Sequence, residues 1–298
     1  SHNQRKKLKR GSYSVVVRSK HFKGVLNYAE AYFPGVDKRE VFLSTYICHP
    51  SMANNELSGP VVSTYLAKYI SELKSRRLSY RFIFIPETIG SIAYLSKNYK
   101  KLQKAVIAGF NITCIGDNRA FSYLPSRDGN TLSDRICKNV LRYIDPEFIS
   151  YSWCDRGSDE RQYCAPGIDL PIASIMRTKY GAYPEYHTSD DKLGTVVTAE
   201  GLSGGYNALK NCLEILEKNS IYVSKLHCEP MLSKRQLYPT LSTGTNHSDV
   251  NTLVDTLSYC DGEHDVIAIS DKIGQPALKV FESIDLLLSQ NLIEQKEI

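Results

Sequence analysis

The sequence is short of several things that would settle its class at once. It has 1 Trp and 3 Met in 298 residues, and none of its 8 Cys forms a Cys-x-x-Cys pair. That spacing excludes a ribbon-type structural zinc site. The thiols at 48, 114, 137, 154, 164, 212, 228 and 260 read as reduced, which points to the cytoplasm. Cys48 and Cys114 fall in apolar, strand-like runs and read as small core residues. No apolar run approaches the ~20 residues that cross a bilayer, so no membrane association is expected. The opening Ser-His-Asn-Gln-Arg-Lys-Lys is basic, but no apolar stretch follows it, which excludes a signal peptide. The first residue is not Met, and the chain reads as a piece of a longer protein. There is no internal repeat and no low-complexity segment.

What is present is ordinary globular composition, 42% hydrophobic and 23% charged, at a length that suits two domains. Charge is unevenly distributed. Residues 220–298 hold 6 Lys and Arg against 11 Asp and Glu, a net −5 within a chain of net +5. The first 219 residues therefore carry +10. The basic cluster Arg5, Lys6, Lys7, Lys9 and Arg10 reads as a solvated arm.

Patterning predicts strands at Ser12–Arg18, Val25–Phe33, Glu40–Cys48, Tyr80–Ile85, Ala105–Ile115 and Leu170–Met176. Helices are expected at Gly59–Leu73, Ser91–Asn98, Thr131–Arg142 and Thr198–Lys218, with Thr198 as an N-cap and Ser51–Glu56 as a polar loop. Alternating strands and helices imply a three-layer α/β domain with a mostly parallel sheet. From about Tyr222 the rhythm changes. A short helix at Val266–Ile273, a turn through Gly274 and Pro276 and a longer helix at Ala277–Ser289 give a helix-turn-helix pattern. The expected boundaries are 1–219 and 220–298.

In open α/β sheets, ligands bind beyond the carboxyl ends of the strands. His49 ends one strand and precedes Pro50. His187 lies in Glu-Tyr-His-Thr-Ser-Asp-Asp. Glu87 follows the strand Tyr80–Ile85 and can serve either as a general base or as a carboxylate at a helix N-terminus. Arg156, Asp159, Glu160 and Arg161 form a charged cluster near an apolar strand. It is either a solvated surface or a substrate site in which a carboxylate takes an amino group and an Arg takes an anion.

The blocks ICHPSMANNELSGPVV, IPETIGS, GSDERQYCAPGIDLP and EYHTSDD together resemble the M28-type zinc aminopeptidase-like family, in its DUF2172/DUF4910 branch, which carries a C-terminal winged helix. The resemblance implies a zinc-aminopeptidase (phosphorylase/hydrolase-like) fold. It carries His49 and His187 over as metal ligands and Glu87 as the base. It also exposes departures. Asn54 and Asn55 stand where the two-metal enzymes have a bridging Asp, Thr88 where they have a ligand Glu, and Thr113 where they have a ligand Asp. An amide is a weak zinc ligand beside a carboxylate. One zinc is therefore expected, held by His49, His187 and an acidic third ligand, with Glu56 preferred over Asn55 and Asp117. The resemblance implies an enzyme acting on a small peptide or amide. The alternative is a non-catalytic binding or regulatory protein linked to surface polysaccharide synthesis.

For the C-terminal domain the charge argues against nucleic acid. The expected recognition helix Ala277–Ser289 offers Lys279 against Glu282 and Asp285. Packing on the catalytic domain, on a protein partner or on a second copy, through Phe281, Leu288 and their neighbours, is expected instead.

Overall fold

A computed structural model describes residues 1–49, 51–235, 237 and 246–296. Pro50 lies outside the described residues. The chain forms two compact units, Ser1–Asp134 with Phe148–Leu209, and Arg135–Glu147 with Lys210–Ile298.

The first unit contains α1 (His2–Lys6), β1 (Ala29–Phe33), β2 (Glu40–Tyr46), α2 (Ser58–Glu72), β3 (Ser79–Ile85), α3 (Ile89–Ala105), β4 (Val106–Asn111) and β5 (Ser122–Leu124). The helix α4 (Leu132–Ile144) begins in it. After β6 (Ile149–Ser150), α5 (Glu160–Tyr163) and β7 (Ile172–Met176), the helix α6 (Ala199–Lys218) starts there too. The sheet order is β1-β3-β2-β4-β7-β5-β6. Strands β3, β2, β4 and β7 run parallel, β1 is antiparallel to β3 and β5 to β7, and β6 runs parallel to β5. Every residue of β2 is buried, as expected of a central parallel strand covered on both faces. The carboxyl ends of β2, β3 and β4 thus open side by side. The loops leaving them carry His49, Glu87 and Thr113.

Two readings from patterning are corrected. Ser12–Arg18 is not a strand: Val15, Val16 and Val17 are 77–82% exposed, and no neighbouring strand pairs with them. A Val-rich alternation makes a strand only where it packs against a sheet. The first strand is confined to Ala29–Phe33. In the opposite direction, α3 extends well beyond Ser91–Asn98, because its last two turns, rich in Lys, face water.

A buried ion cluster ties the sheet edge. Arg81 on β3 donates to both oxygens of Glu40 on β2, at 2.6 and 2.8 Å, and also meets Glu30 on β1, which accepts from Tyr94 at 2.6 Å. With Glu40 and Arg81 both buried, each charge depends on the other for its solvation.

The second unit holds β8 (Ile221–Ser224), α7 (Asn246–Ser258), β9 (Asp261–Asp265), α8 (Val266–Ile273), α9 (Ala277–Ser289) and β10 (Ile293–Gln295). The strands form an antiparallel sheet, β10-β8-β9. Asp265 caps α8 through the Ala268 amide at 2.9 Å, and Gly274 closes that helix at φ 66°, a conformation glycine takes without strain. The later part of α4 belongs here because polar bonds join it to α8 and α9. Arg135 grips Asp265 at 2.9 and 2.5 Å, Asn139 donates to Ser270 at 2.7 Å, and Arg142 donates to Asp271 at 2.9 Å. Phe281, expected to meet a partner, is 3% exposed, with the Lys218 Nζ 5.6 Å from its ring. It is core, and it is not available for docking. Among the described residues no helix is long and apolar enough to cross a membrane.

Within the first unit, α6 lies flush against the loop after β4. A Cβ at Gly201 would collide with the Gly116 carbonyl oxygen and crowd the Asp117 carbonyl. Gly201→Ala should therefore destabilise the protein by ~1–3 kcal/mol. Gly11→Ala, in open space, should be neutral. Urea denaturation midpoints of the two variants check the contrast.

Candidate functional site

The loop after β2 turns back into α2 through a π-helical turn, Ala53–Leu57. Asp191 holds that turn. Its carboxylate accepts from the amides of Asn54 at 2.7 Å and Asn55 at 3.0 Å and from the Tyr183 hydroxyl at 3.1 Å. Asp117 holds the same turn from the β4 side. It accepts from Asn54 Nδ2 at 2.9 Å, from the Thr178 amide and hydroxyl at 2.8 and 2.6 Å, and from the Arg119 amide at 3.0 Å. With four donors on a fully buried carboxylate, Asp117 is a structural clamp and no longer a rival ligand.

Fixed in this way, the turn presents Glu56 to His49. His49 Nδ1 lies 2.9 Å from Glu56 Oε2. Glu56 is 2% exposed, and its Oε1 has no hydrogen-bond partner. Burial raises the Glu56 carboxyl above its usual range, and His49 opposes the rise. Cys48 is exposed, not core, because β2 ends two residues before it; its Sγ is 3.3 Å from His49 Nδ1. Donor atoms of Cys48, His49 and Glu56 all lie within 4.8 Å of one another, which no other group of three such residues achieves among those described. His187 stacks on His49, ring centroids 5.7 Å apart, and on Tyr186 at 3.9 Å, but stands outside that tight group. A divalent cation fits an imidazole beside a buried carboxylate with an unused oxygen.

Asn55 is not a ligand candidate here. Its Oδ1 accepts from the Tyr46 hydroxyl at 3.0 Å, Tyr46 lies 2.5 Å from the Thr113 hydroxyl, and Thr113 donates to the Asn55 carbonyl at 3.1 Å. This neutral cluster satisfies itself at the place where a second cation would need carboxylates.

Glu87 follows β3 and is partly buried. Ser158 donates to its Oε1 at 2.9 Å, and its own amide donates to Cys48 Sγ at 3.2 Å. The next residue, Thr88, has φ 60°, and His187 has φ 55°. A β-branched residue at positive φ is strained, and such strain concentrates at functional sites. The Thr88 amide is held by Asp159 Oδ1 at 2.7 Å, which also accepts from Ser91 at 2.8 Å.

The four residues expected to bind substrate are placed differently from one another. Asp159 and Glu160 are wholly buried, so neither can receive a substrate amino group from solvent. Glu160 accepts from the Gly157 and Ser158 amides, both at 2.8 Å, from Tyr180 at 2.7 Å and from Asn111 at 2.9 Å. Both carboxylates shape the loop that carries Ser158. Arg156 is exposed and packs over Trp153, 4.9 Å from its ring. Arg161 is exposed and donates to Thr88 Oγ1 at 2.7 Å, beside Glu87. Sequence reasoning read Cys48 as core and passed over Ser158 and Asp191. Of these, only Cys48 carried a signal, its adjacency to His49 at a strand end.

Burial pushes Asp159 up to about 7, against the Thr88 and Ser91 hydrogen bonds that lower it and aided by the charges of Glu87 and Glu160. The folded state thus binds this proton more tightly than the unfolded chain. The stability this adds is present in acid and is lost as pH rises through about 7. Between about pH 5 and about pH 8, wild type should lose about 2–3 kcal/mol relative to Asp159→Asn. Paired urea denaturations at the two pH values measure the difference.

The comparisons with known proteins agree with this architecture. A family model described as a domain of unknown function, DUF4910, matches residues 13–219, and a winged helix-turn-helix model matches 220–295. A Clostridium acetobutylicum protein, described as a polysaccharide biosynthesis protein with an aminopeptidase-like domain, is 37% identical over 284 residues; these are 95% of this chain and 64% of that protein. A crystal structure described as a peptidase from the same species superposes with TM-score 0.82 at 34% identity, over 90% of this chain and 60% of that one. The chain thus spans less than two thirds of the length of these relatives. A zinc aminopeptidase from Bacillus subtilis superposes with TM-score 0.54 at 17% identity, over 63% of this chain and 49% of that one, which establishes a shared fold. The chain belongs to the DUF4910 family, an aminopeptidase-like α/β domain of the zinc-aminopeptidase fold followed by a winged helix.

Proposed function

We propose that the protein is a metal-dependent hydrolase of peptide or amide bonds, with one zinc and with Glu87 as general base. The observation that carries this reading is the buried Glu56 carboxylate, paired with His49 through one oxygen and unpartnered at the other. His49 and Glu56 would hold the ion, with His187 beside them. When bound, zinc supplies a polarised carbonyl and a water of lowered pKa. Glu87 would serve as the base that takes a proton from an attacking water and returns it to the leaving amine, while the Ser158 hydroxyl keeps the carboxylate oriented. Arg161, next to Thr88, is the residue suited to an anionic group on the substrate.

A second reading is a non-catalytic binding or regulatory protein of surface polysaccharide synthesis. The neutral Tyr46–Asn55–Thr113 cluster favours it, since the scaffold has no carboxylates there for a second cation. The relative's description as a polysaccharide biosynthesis protein points the same way. Metal content and turnover separate the two. Zinc-reloaded protein should hold about one ion per chain, and Glu87→Gln should keep that ion while losing on the order of 10²–10⁴ in rate on amide substrates. A stoichiometry of two, or unchanged turnover in Glu87→Gln, overturns the mechanism.

The winged helix is proposed as a protein-contacting domain with no affinity for duplex DNA. Its composition is acidic: residues 220–298 carry 6 Lys and Arg against 11 Asp and Glu. Two basic side chains of this unit are already committed, Arg135 to Asp265 and Arg142 to Asp271. Leu288 on α9 is 38% exposed and remains a contact candidate. Titrating random duplex at low salt into the chain lacking residues 1–11, which removes the basic arm, should show no micromolar binding. Tight, steeply salt-sensitive binding would reverse the assignment.

A further inference from the structure

We infer that Cys48 is itself a ligand of the metal ion, through Sγ, together with His49 and Glu56. This rests on the metal-site reading above and adds a donor which that reading lacks. Three observations converge. Cys48 Sγ, His49 Nδ1 and a Glu56 oxygen form the one tight donor group among the described residues. The distances, 3.3 Å from sulfur to nitrogen and 2.9 Å from nitrogen to oxygen, lie a few tenths of an ångström inside the ~3.6 and ~3.4 Å that tetrahedral zinc–sulfur, zinc–nitrogen and zinc–oxygen bonds require. A small spreading of the three side chains therefore admits the ion. Glu56 Oε1, buried and without a partner, supplies the remaining unmet donor.

The chemistry answers a deficit. Asn55, Thr88 and Thr113 supply no charge, so Glu56 alone would offset a divalent cation. Loss of the Cys48 proton to solvent on metal binding adds a second negative ligand. The Glu87 amide, 3.2 Å from Sγ, is a donor already aimed at that charge. A thiolate also sets selectivity. It favours zinc and cobalt over magnesium, calcium or manganese, which prefer all-oxygen sites.

The test is optical. Cobalt(II) is titrated into the full chain carrying Cys154→Ser and Cys228→Ser, which removes the other exposed thiols. The expected result is one bound cobalt with an intense near-ultraviolet thiolate-to-cobalt band. Adding Cys48→Ser should abolish the band and weaken zinc binding by at least the roughly 10–100-fold that loss of an outer partner costs. Cobalt bound at His49, judged by its loss in His49→Ala, but with no thiolate band overturns Cys48 ligation and leaves the metal site standing. No cobalt bound at all overturns both. Because the band is read on the protein with native Cys48, the outcome does not depend on any Cys48 variant folding.

Discussion

A buried carboxylate must find donors or give up its charge, and this constraint organises the whole strand-end region. Asp191 and Asp117 meet it by collecting amide, hydroxyl and side-chain donors from chain segments far apart in sequence. Their donors include both asparagines of the Ala53–Leu57 turn, which ties the turn to the loops after β4 and before α6. Glu160 does the same for the 157–158 loop. The position of Glu56 against His49, and of Ser158 against Glu87, follows from those three saturated carboxylates. Glu56 and Asp159 differ in kind. Each keeps one buried oxygen without a partner, and each is held above the ordinary carboxylate range by burial. Of the two, Glu56 meets His49 at the candidate site, and Asp159 braces Thr88 from the interior.

Backbone strain sits in the same place. Thr88 and His187 take positive φ directly beside Glu87 and in the stack on His49. Such conformations cost on the order of 1–3 kcal/mol each and persist only when surrounding bonds over-determine them. For Thr88 the over-determination is visible, since Asp159 fixes its amide and Arg161 its hydroxyl. The charge cluster at 156–161 thus does most of its work inward, as a brace for the base-bearing loop. Only the arginines remain at the surface.

Much of this was legible from residue patterns. Strands β2 and β3 read directly, because a strand covered on both faces is apolar throughout, and α6 with its Thr198 cap read almost to the residue. The juxtaposition of His49 and His187 followed from the rule that parallel strands open their carboxyl ends together. The misses have physical causes. Strands β5 and β6 are two or three residues long and exist through pairing, which leaves no local pattern. Ser12–Arg18 has the pattern without the pairing. Cys48 was misread because its apolar run continues past Tyr46, while the ladder stops there. Asp159 and Glu160 were misread because charge in a sequence suggests solvent, whereas their partners, Thr88, Ser91, Asn111 and Tyr180, lie 20 to 71 residues away.

The replacement of carboxylates by neutral groups bears on what chemistry the scaffold can support. In a two-metal site, bridging and flanking carboxylates offset four positive charges. Here the buried Tyr46, Asn55 and Thr113 hydrogen-bond one another, and the neighbouring Cys114 thiol is pushed up by burial to about 12. A cation placed among these groups would lose its hydration and gain only dipoles, and burial of an unpaired charge costs several kcal/mol. The cluster therefore offers a second ion no charged ligand. A single cation held by His49 and Glu56 would keep more of its charge for an approaching ligand than one surrounded by several carboxylates. A one-metal amide hydrolase needs that property, and so does a site that binds an anionic or carbonyl group without cleaving it. The difference between them rests on whether Glu87, held by Ser158, is within reach of the water that the ion would bind.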